Sequence, residues 1–276
     1  MGHISRYISP GIKLSCYKDR LFKSGVVFND HMLIWLISGE TKIVQAQASQ
    51  IFKTGDIFLI PKDHPSTVLN YPKDGLPHRT VVMVLTAEIL REFYADLKVS
   101  IHLRPVPHIR SLDKHPLLTS CLDSLVPYFE LEDLPKHIAL GKIIEAIAVI
   151  RAVHPEIDGV LANFEEPGKA DLIGFMEKNY MFNMTIEKFG YLTGRSLTTF
   201  KRDFKKAYKV TPRKWLTQKR LELAHFMIAR EHRKPAEVLL EAGFENLSHF
   251  SYIFKKQFGY APTELCGRSA GIKPVV

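Results

Sequence analysis

Over the first ninety residues the apolar positions fall into short runs. His31–Ile37, Thr41–Gln45, Ile57–Ile60, Thr67–Tyr71 and Thr80–Leu85 are rich in apolar and β-branched side chains and predict strands. Turn formers divide them: Ser38-Gly39-Glu40, Thr54-Gly55-Asp56, Pro61-Lys62-Asp63 and Pro72-Lys73-Asp74-Gly75. So many strands at close spacing predict a small antiparallel β-barrel or jelly roll, in which closure protects the strand edges. From Ala87 onward the period becomes helical, with Ile89, Leu90, Phe93, Tyr94 and Leu97 on one face. Leu117–Phe129 and Lys136–Val153 predict further helices.

The last of these carries Leu140, Ile143, Ile144, Ile147 and Ile150 at three- and four-residue spacing. A stripe this wide is core in an ordinary domain, and it can also meet itself across a two-fold axis, which makes this helix the candidate contact of a homodimer. From His154-Pro155-Glu156 to Glu166-Pro167-Gly168 the chain combines Pro, Gly and acidic residues with no sustained period. This predicts a linker at 156–167 between a regulatory and dimerisation domain at 1–155 and a second domain at 168–276.

The second domain contains a repeat of period 50. Phe200 matches Phe250, Phe204 matches Phe254, Lys205-Lys206 match Lys255-Lys256, Tyr208 matches Phe258 and Pro212 matches Pro262. Each copy reads as helix, tight turn, helix. In the first, Thr185 caps a helix that buries Ile186, Phe189 and Leu192, Thr193-Gly194-Arg195 turns the chain, and Ser196 caps the next helix. That helix turns Leu197, Phe200, Phe204 and Tyr208 inward and Thr198, Lys201, Arg202 and Lys205 outward. In the second, a helix from Pro235 through Val238, Leu239 and Ala242 reaches the turn Gly243-Phe244-Glu245. Its partner presents Ser248, Ser251, Tyr252 and Lys255 opposite Phe250 and Phe254. Between the copies Pro212 opens a long helix whose seventeen residues Arg213–Ala229 span ~25 Å. Two helices so joined suit successive major-groove segments about one turn, ~34 Å, apart.

Charge sharpens this picture. Of 38 Lys and Arg against 29 Asp and Glu in the chain, residues 168–276 hold 20 against 10, so the excess of cations lies wholly in the repeat-bearing half. Phosphate neutralisation by Lys and Arg supplies most non-specific nucleic-acid affinity, and double-stranded DNA is the partner this distribution fits. Cys16, Cys121 and Cys266 are too few and scattered for a disulfide framework or zinc cluster and read as small apolar fillers. The start, MGHISRYISPGIKLSC, lacks the apolar core of a signal peptide, and no run approaches a membrane span, so a cytoplasmic protein without membrane contact is expected.

The stretches TGRSLTTFKRDFKKAYKVTPRKWLTQKRLELA and EAGFENLSHFSYIFKKQFGYAPTEL resemble the AraC/XylS family signature, firmly over about residues 168–266. The front half resembles the family's cupin-like sensor and dimerisation domain, closest to the branch that activates type III secretion genes. The resemblance implies an α+β chain, a cupin-like β-barrel with a helical dimerisation segment ahead of an all-α double helix-turn-helix domain. It implies a transcription regulator, an activator working with RNA polymerase, that reads promoter DNA through Thr198, Thr199, Lys201, Arg202 and Lys205 in one unit. In the other unit the readers are Asn246, Ser248, His249, Ser251 and Tyr252. Two positions depart from the pattern: Leu239 stands where a small Ala is usual, and Tyr252 where an outward Arg is frequent.

Enzyme chemistry finds no foothold. A His-x-His pair, a Gly-rich phosphate loop, a Gly-x-Ser-x-Gly elbow and a CxxC pair are all missing, and His64 and His78 lack metal-ligand spacing, so no cofactor is expected. The mainly apolar strands favour a filled barrel regulated by a protein partner, with a small-molecule effector in a barrel pocket as the alternative.

Overall fold

The computed structural model of the chain describes residues 4–19, 21–46, 48–97, 109–131 and 133–265, so Cys266 lies outside the described residues. Nine strands come first: β1 (Ile4–Ser9), β2 (Ile12–Tyr17), β3 (Leu21–Val26), β4 (His31–Ser38), β5 (Glu40–Val44), β6 (Ser49–Lys53), β7 (Ile57–Ile60), β8 (Ser66–Tyr71) and β9 (His78–Leu85). Helix α1 (Ala87–Tyr94) and strand β10 (Arg110–Leu112) follow. One sheet runs β1-β2-β9-β4-β7-β10 and the other β3-β8-β5-β6, with every pairing antiparallel.

The larger sheet is buried on both faces. Along β4, Leu33 and Trp35 point one way and Met32 and Leu36 the other; along β7, Ile57 and Leu59 oppose Phe58 and Ile60. The first set packs against α1, α2 (Pro116–Asp123) and α3 (Lys136–Val153), and the second set against Ile43 and Phe52 of the smaller sheet. Phe52 and Phe58 stack with centroids 3.9 Å apart. Burial on both sides explains why β4 and β7 read as unbroken apolar runs rather than alternating ones. The expected closed barrel is corrected to an open pair of sheets: no strand is shared among the described residues, and β1, β10, β3 and β6 remain edges.

Three further expectations need correction. The predicted helix at Leu117–Phe129 breaks after Asp123 and resumes as a 3-10 turn, Val126–Phe129, because Pro127 has no amide hydrogen to continue the ladder. The start of the predicted 156–167 linker is folded: a 3-10 turn, Pro155–Ile157, leads into α4 (Asp158–Leu161), and Ile157, Val160 and Leu161 are buried in the front core. Asp158 holds that segment, accepting from Tyr94 Oη at 2.7 Å and Arg151 Nε at 2.9 Å, and irregular chain is confined to 163–171. The stripe on α3 is divided as well. Ile143, Ile147 and Ile150 are at most 1% exposed and pack toward the sheet, which removes them from any dimer surface, whereas Leu140 and Ile144, 39% and 40% exposed, lie on the outer side.

The rest is helical: α5 (Leu172–Asn179), α6 (Ile186–Leu192), α7 (Leu197–Tyr208), α8 (Pro212–Ala229), α9 (Pro235–Glu241) and α10 (Leu247–Phe258). It has two cores. One gathers Met176, Phe182, Phe189, Phe200, Phe204 and Trp215, and the other Leu221, Ile228, Val238, Phe250 and Phe254. Helix α8 contributes to both. Among the described residues no helix is long and apolar enough to cross a membrane.

Two buried histidines set an acid limit on the front half. Burial, first of all, lowers His31 to about 3 and His78 to about 4, so both are neutral in the fold. His31 Nδ1 accepts from the Lys62 amide at 3.2 Å, and His78 Nε2 lies 2.7 Å from Thr41 Oγ1. Because both folded values lie below the ordinary 6.5, the unfolded chain takes up protons first. Their contribution is complete above about pH 6.5 and is lost as pH falls toward 4 and then 3. At pH 5 each costs about 2 kcal/mol. Urea unfolding followed by Trp35 emission in a Trp215→Phe protein should show this loss between pH 7.5 and 5, and His78→Gln should flatten it. An unchanged pH slope in His78→Gln contradicts the assignment.

Candidate nucleic-acid interface

The two units of the helical half repeat in three dimensions. Helices α7 and α10 both have 12 residues and start 50 positions apart. Each opens on a side-chain cap: Ser196 Oγ accepts from the Thr199 amide at 3.3 Å, and Asn246 Oδ1 from the His249 amide at 2.8 Å. Each closes on a left-handed residue, Lys209 (φ 60°) and Gly259 (φ 85°), and each is followed by proline, Pro212 and Pro262. The preceding turns differ in length. Gly194 (φ 63°) stands two residues before its helix cap and Gly243 (φ 86°) three.

An aromatic column sets the rotation of each helix. Phe200 and Phe204 are fully buried, with Phe204 stacked on Tyr208 at 4.5 Å and edge-on to Trp215 at 5.6 Å. In the other unit Phe250 and Phe254 are fully buried, with Phe258 at 4.7 Å from Phe254. With these inside, α7 leaves Thr198, Lys201, Arg202 and Lys205 exposed, and α10 leaves Ser248, His249, Tyr252 and Lys255 exposed. Ser251 is half-buried and Tyr252 is 66% exposed. Thr199 and Asn246 are engaged in capping, since Ser196 Oγ also donates to Thr199 Oγ1 at 3.0 Å.

Between the units runs a groove of about 1090 Å³, with Lys201, Lys205 and Arg213 on one flank and Asn246 and His249 on the other. Glu187 and Glu245 also reach it, so the cations do not line it uniformly. Its cations and amides are groups of the kind that meet phosphate oxygens of a nucleic-acid backbone.

Several working residues carry no local sequence signal. Arg195, its side chain 8% exposed, donates from Nη1 to the carbonyls of Ala170 at 2.9 Å and Thr193 at 2.7 Å. Its Nε donates to Asp203 at 3.2 Å and holds that carboxyl below its usual range. It braces the turn of the first unit instead of facing solvent. On α6, Lys188 Nζ donates to Asn29 Oδ1 at 3.0 Å and lies 3.5 Å from Asp63 Oδ1, while Tyr191 Oη donates to Asp63 Oδ2 at 3.3 Å. The first unit is thereby tied to two loops of the front half. Arg220, by contrast, does carry a signal: a lone cation on the apolar side of α8, between Leu216 and Ala224.

The front half holds a second concavity, a cavity of about 220 Å³ between the sheets. Its apolar wall is interrupted by Ser15, Thr41, Asn70, His78 and Thr80, so the strands point more polar groups inward than their composition suggested. Thr41 Oγ1 donates to Asn70 Oδ1 at 3.0 Å, and His78 Nδ1 is buried without a hydrogen-bond partner.

Residues 192–268 match a family described as a helix-turn-helix domain. The chain is 26% identical over 236 residues to the HTH-type transcriptional regulator ExsA of Pseudomonas aeruginosa, covering 83% of each protein. It is 28% identical over 152 residues to the virulence regulon transcriptional activator VirF of Yersinia enterocolitica, covering 54% of this chain and 56% of that protein. The crystal structure of apo ToxT from Vibrio cholerae aligns over 93% of this chain and 96% of its own, with 14% identity and a TM-score of 0.45.

The outward faces differ in chemistry. Lys or Arg can donate to guanine O6 and N7, worth about 1–3 kcal/mol of discrimination for a good bidentate contact, whereas serine reads ambiguously and a tyrosine more readily meets phosphate or sugar. In binding-site selection at fixed salt, Lys201→Ala with Arg202→Ala should relax base preference under α7. Ser251→Ala with Tyr252→Ala should weaken binding evenly with the preference retained. Equal loss of preference in both half-sites contradicts this asymmetry.

Proposed function

We propose that the chain is a DNA-binding transcription regulator of the AraC/XylS family and that it activates transcription by seating α7 and α10 in successive major grooves of a promoter. The observation that carries this reading is the common register of the two helices, each with its aromatic column inside and a polar, cation-bearing face outside. The reading module is assigned to residues 168–276. Within it Thr198, Lys201, Arg202 and Lys205 reach bases or phosphates from the first unit, and Ser248, His249, Ser251 and Tyr252 from the second. Asn246 acts at the N-terminus of α10, which it caps, and Thr199 at the N-terminus of α7, where it engages the Ser196 cap. Activation makes RNA polymerase the second partner. A homodimer would use the outer side of α3 through Leu140 and Ile144, the two stripe residues that the core leaves exposed.

Control runs through the front half. Asp63 and Asn29 hold Lys188, a cation on the first helix of the first unit, and the helix that precedes a recognition helix crosses the DNA backbone in such motifs. The turn bearing Asp63 is itself fixed, with the Asp63 amide donating to Phe28 O at 2.8 Å and the neighbouring Lys62 amide to His31. A protein partner that takes this loop would free Lys188 for phosphate. The second reading, a small effector in the cavity between the sheets, is favoured by the unpartnered His78 Nδ1 there.

Asp63→Ala should mimic release. The half-buried ion pair and its hydrogen bonds are worth about 1 kcal/mol, so the variant should bind duplexes enriched by the wild type roughly five-fold more tightly. One more phosphate contact should also steepen the slope of log affinity against log salt by about one. A reporter driven by those duplexes should rise. Unchanged affinity and salt slope contradict control through this contact, and a reporter that only falls contradicts activation.

A further inference from the structure

Helix α8 passes from one core to the other at a single place. Trp215 and Leu216 belong to the first core, and Leu221, Ala224 and Ile228 to the second. Arg220 stands at the crossing. Its Nε donates to Tyr180 O at 2.8 Å, Nη2 to Phe182 O at 2.7 Å, and Nη1 to Gly243 O at 3.4 Å and Asn183 Oδ1 at 3.5 Å. Tyr180, Phe182 and Asn183 lie in the connection between α5 and α6 of the first unit, and Gly243 in the turn between α9 and α10 of the second. One planar guanidinium thus joins the connecting helix to a loop of each unit, and a fixed fork of donors suits it to that task better than a point charge.

The same seam is tight elsewhere. A Cβ added to Gly243 would lie 2.5 Å from Met181 O and 3.0 Å from Arg220 Nε, so the two backbones touch where a side chain would part them. Asn183 Nδ2 donates across the seam to Glu245 Oε1 at 2.8 Å. No carboxylate lies within ion-pair distance of Arg220 among the described residues, and burial lowers its pKa to about 10. Its charge is met by carbonyl dipoles, an arrangement that answers to geometry more than to charge neutralisation.

We infer that Arg220 is a positioning residue that fixes the separation and rotational phase of α7 and α10, and so sets the base-pair spacing between the two boxes the protein accepts. The inference rests on the reading of two DNA-bound units. Each inserted base pair turns one box by about 34° and shifts it by ~3.4 Å relative to the other, and a rigid pair of helices cannot follow both.

The test uses the full chain and the duplexes that the wild type enriches from a random-sequence pool. One base pair is then inserted or deleted between the boxes, and affinity is read by fluorescence anisotropy. The wild type should lose roughly ten-fold or more on insertion. Arg220→Met should narrow that penalty to about three-fold or less. Arg220→Lys, which keeps the charge but not the fork, should fall between. Asn183→Ala, a milder cut at the same seam, should move the same way. If Arg220→Met lowers affinity equally at every spacing and Arg220→Lys restores wild-type values, Arg220 acts by charge and the inference is overturned. Should Arg220→Met fail to fold, unchanged spacing preference in both Arg220→Lys and Asn183→Ala overturns it as well. A wild type that enriches a single box, or shows no spacing penalty, contradicts the two-unit reading itself.

Discussion

Burial of one aromatic column per recognition helix is the constraint on which the rest of the helical half depends. Phe200 and Phe204 in α7, and Phe250 and Phe254 in α10, have no exposed surface. Each is worth several kcal/mol of burial, enough to forbid any other rotation of its helix. Once that rotation is fixed, the outward residues follow from the helical period alone. Thr198, Lys201, Arg202 and Lys205 take the same stations as Ser248, Ser251, Tyr252 and Lys255. Side-chain caps at Ser196 and Asn246 and left-handed closures at Lys209 and Gly259 set the helix lengths, so two faces of equal extent result.

Two faces become one reading surface only if the units hold a fixed relation, and here a different physics takes over. The cores of the two units are separate, and α8 alone would leave their relation to a short stretch of helix. Hydrogen bonds from Arg220 and the close approach at Gly243 supply what apolar packing does not. The front half adds a third level. Its double-sided sheet provides a rigid base, neutral His31 braces the turn bearing Asp63, and Asp63 in turn engages Lys188 and Tyr191 of the first unit. Each level uses contacts longer in sequence than the one before.

That ordering explains what could be read from the sequence and what could not. Helices α6 to α10 were legible almost to the residue, including the caps Thr185 and Ser196 and the helix opening at Pro212, because a repeat, caps and a 3.6-residue period agree over one segment. Strands β4, β7 and β9 were legible as apolar runs. Strands β1, β2, β3, β6 and β10 carry no such run: polar positions such as Ser5, Lys13, Lys23, Gln50 and Ser111 interrupt them, and most of their pairing comes from neighbours far along the chain. Periodicity found α3 to its ends but could not say which of its isoleucines meet the sheet, since Ile143 and Ile144 look alike until the sheet is present. Likewise Arg195 and Asp63 are ordinary charged residues in the sequence. Their roles arise from carbonyls and side chains that only the fold brings to them.

The central claim is that two helices held at one spacing read two grooves of one duplex. Hydroxyl-radical footprinting of the full chain on a duplex it selects tests this most directly. Two protected patches on the same face, their centres about one helical turn or 10–10.5 base pairs apart, are the predicted result. A single patch, or two patches on opposite faces of the duplex, would contradict it.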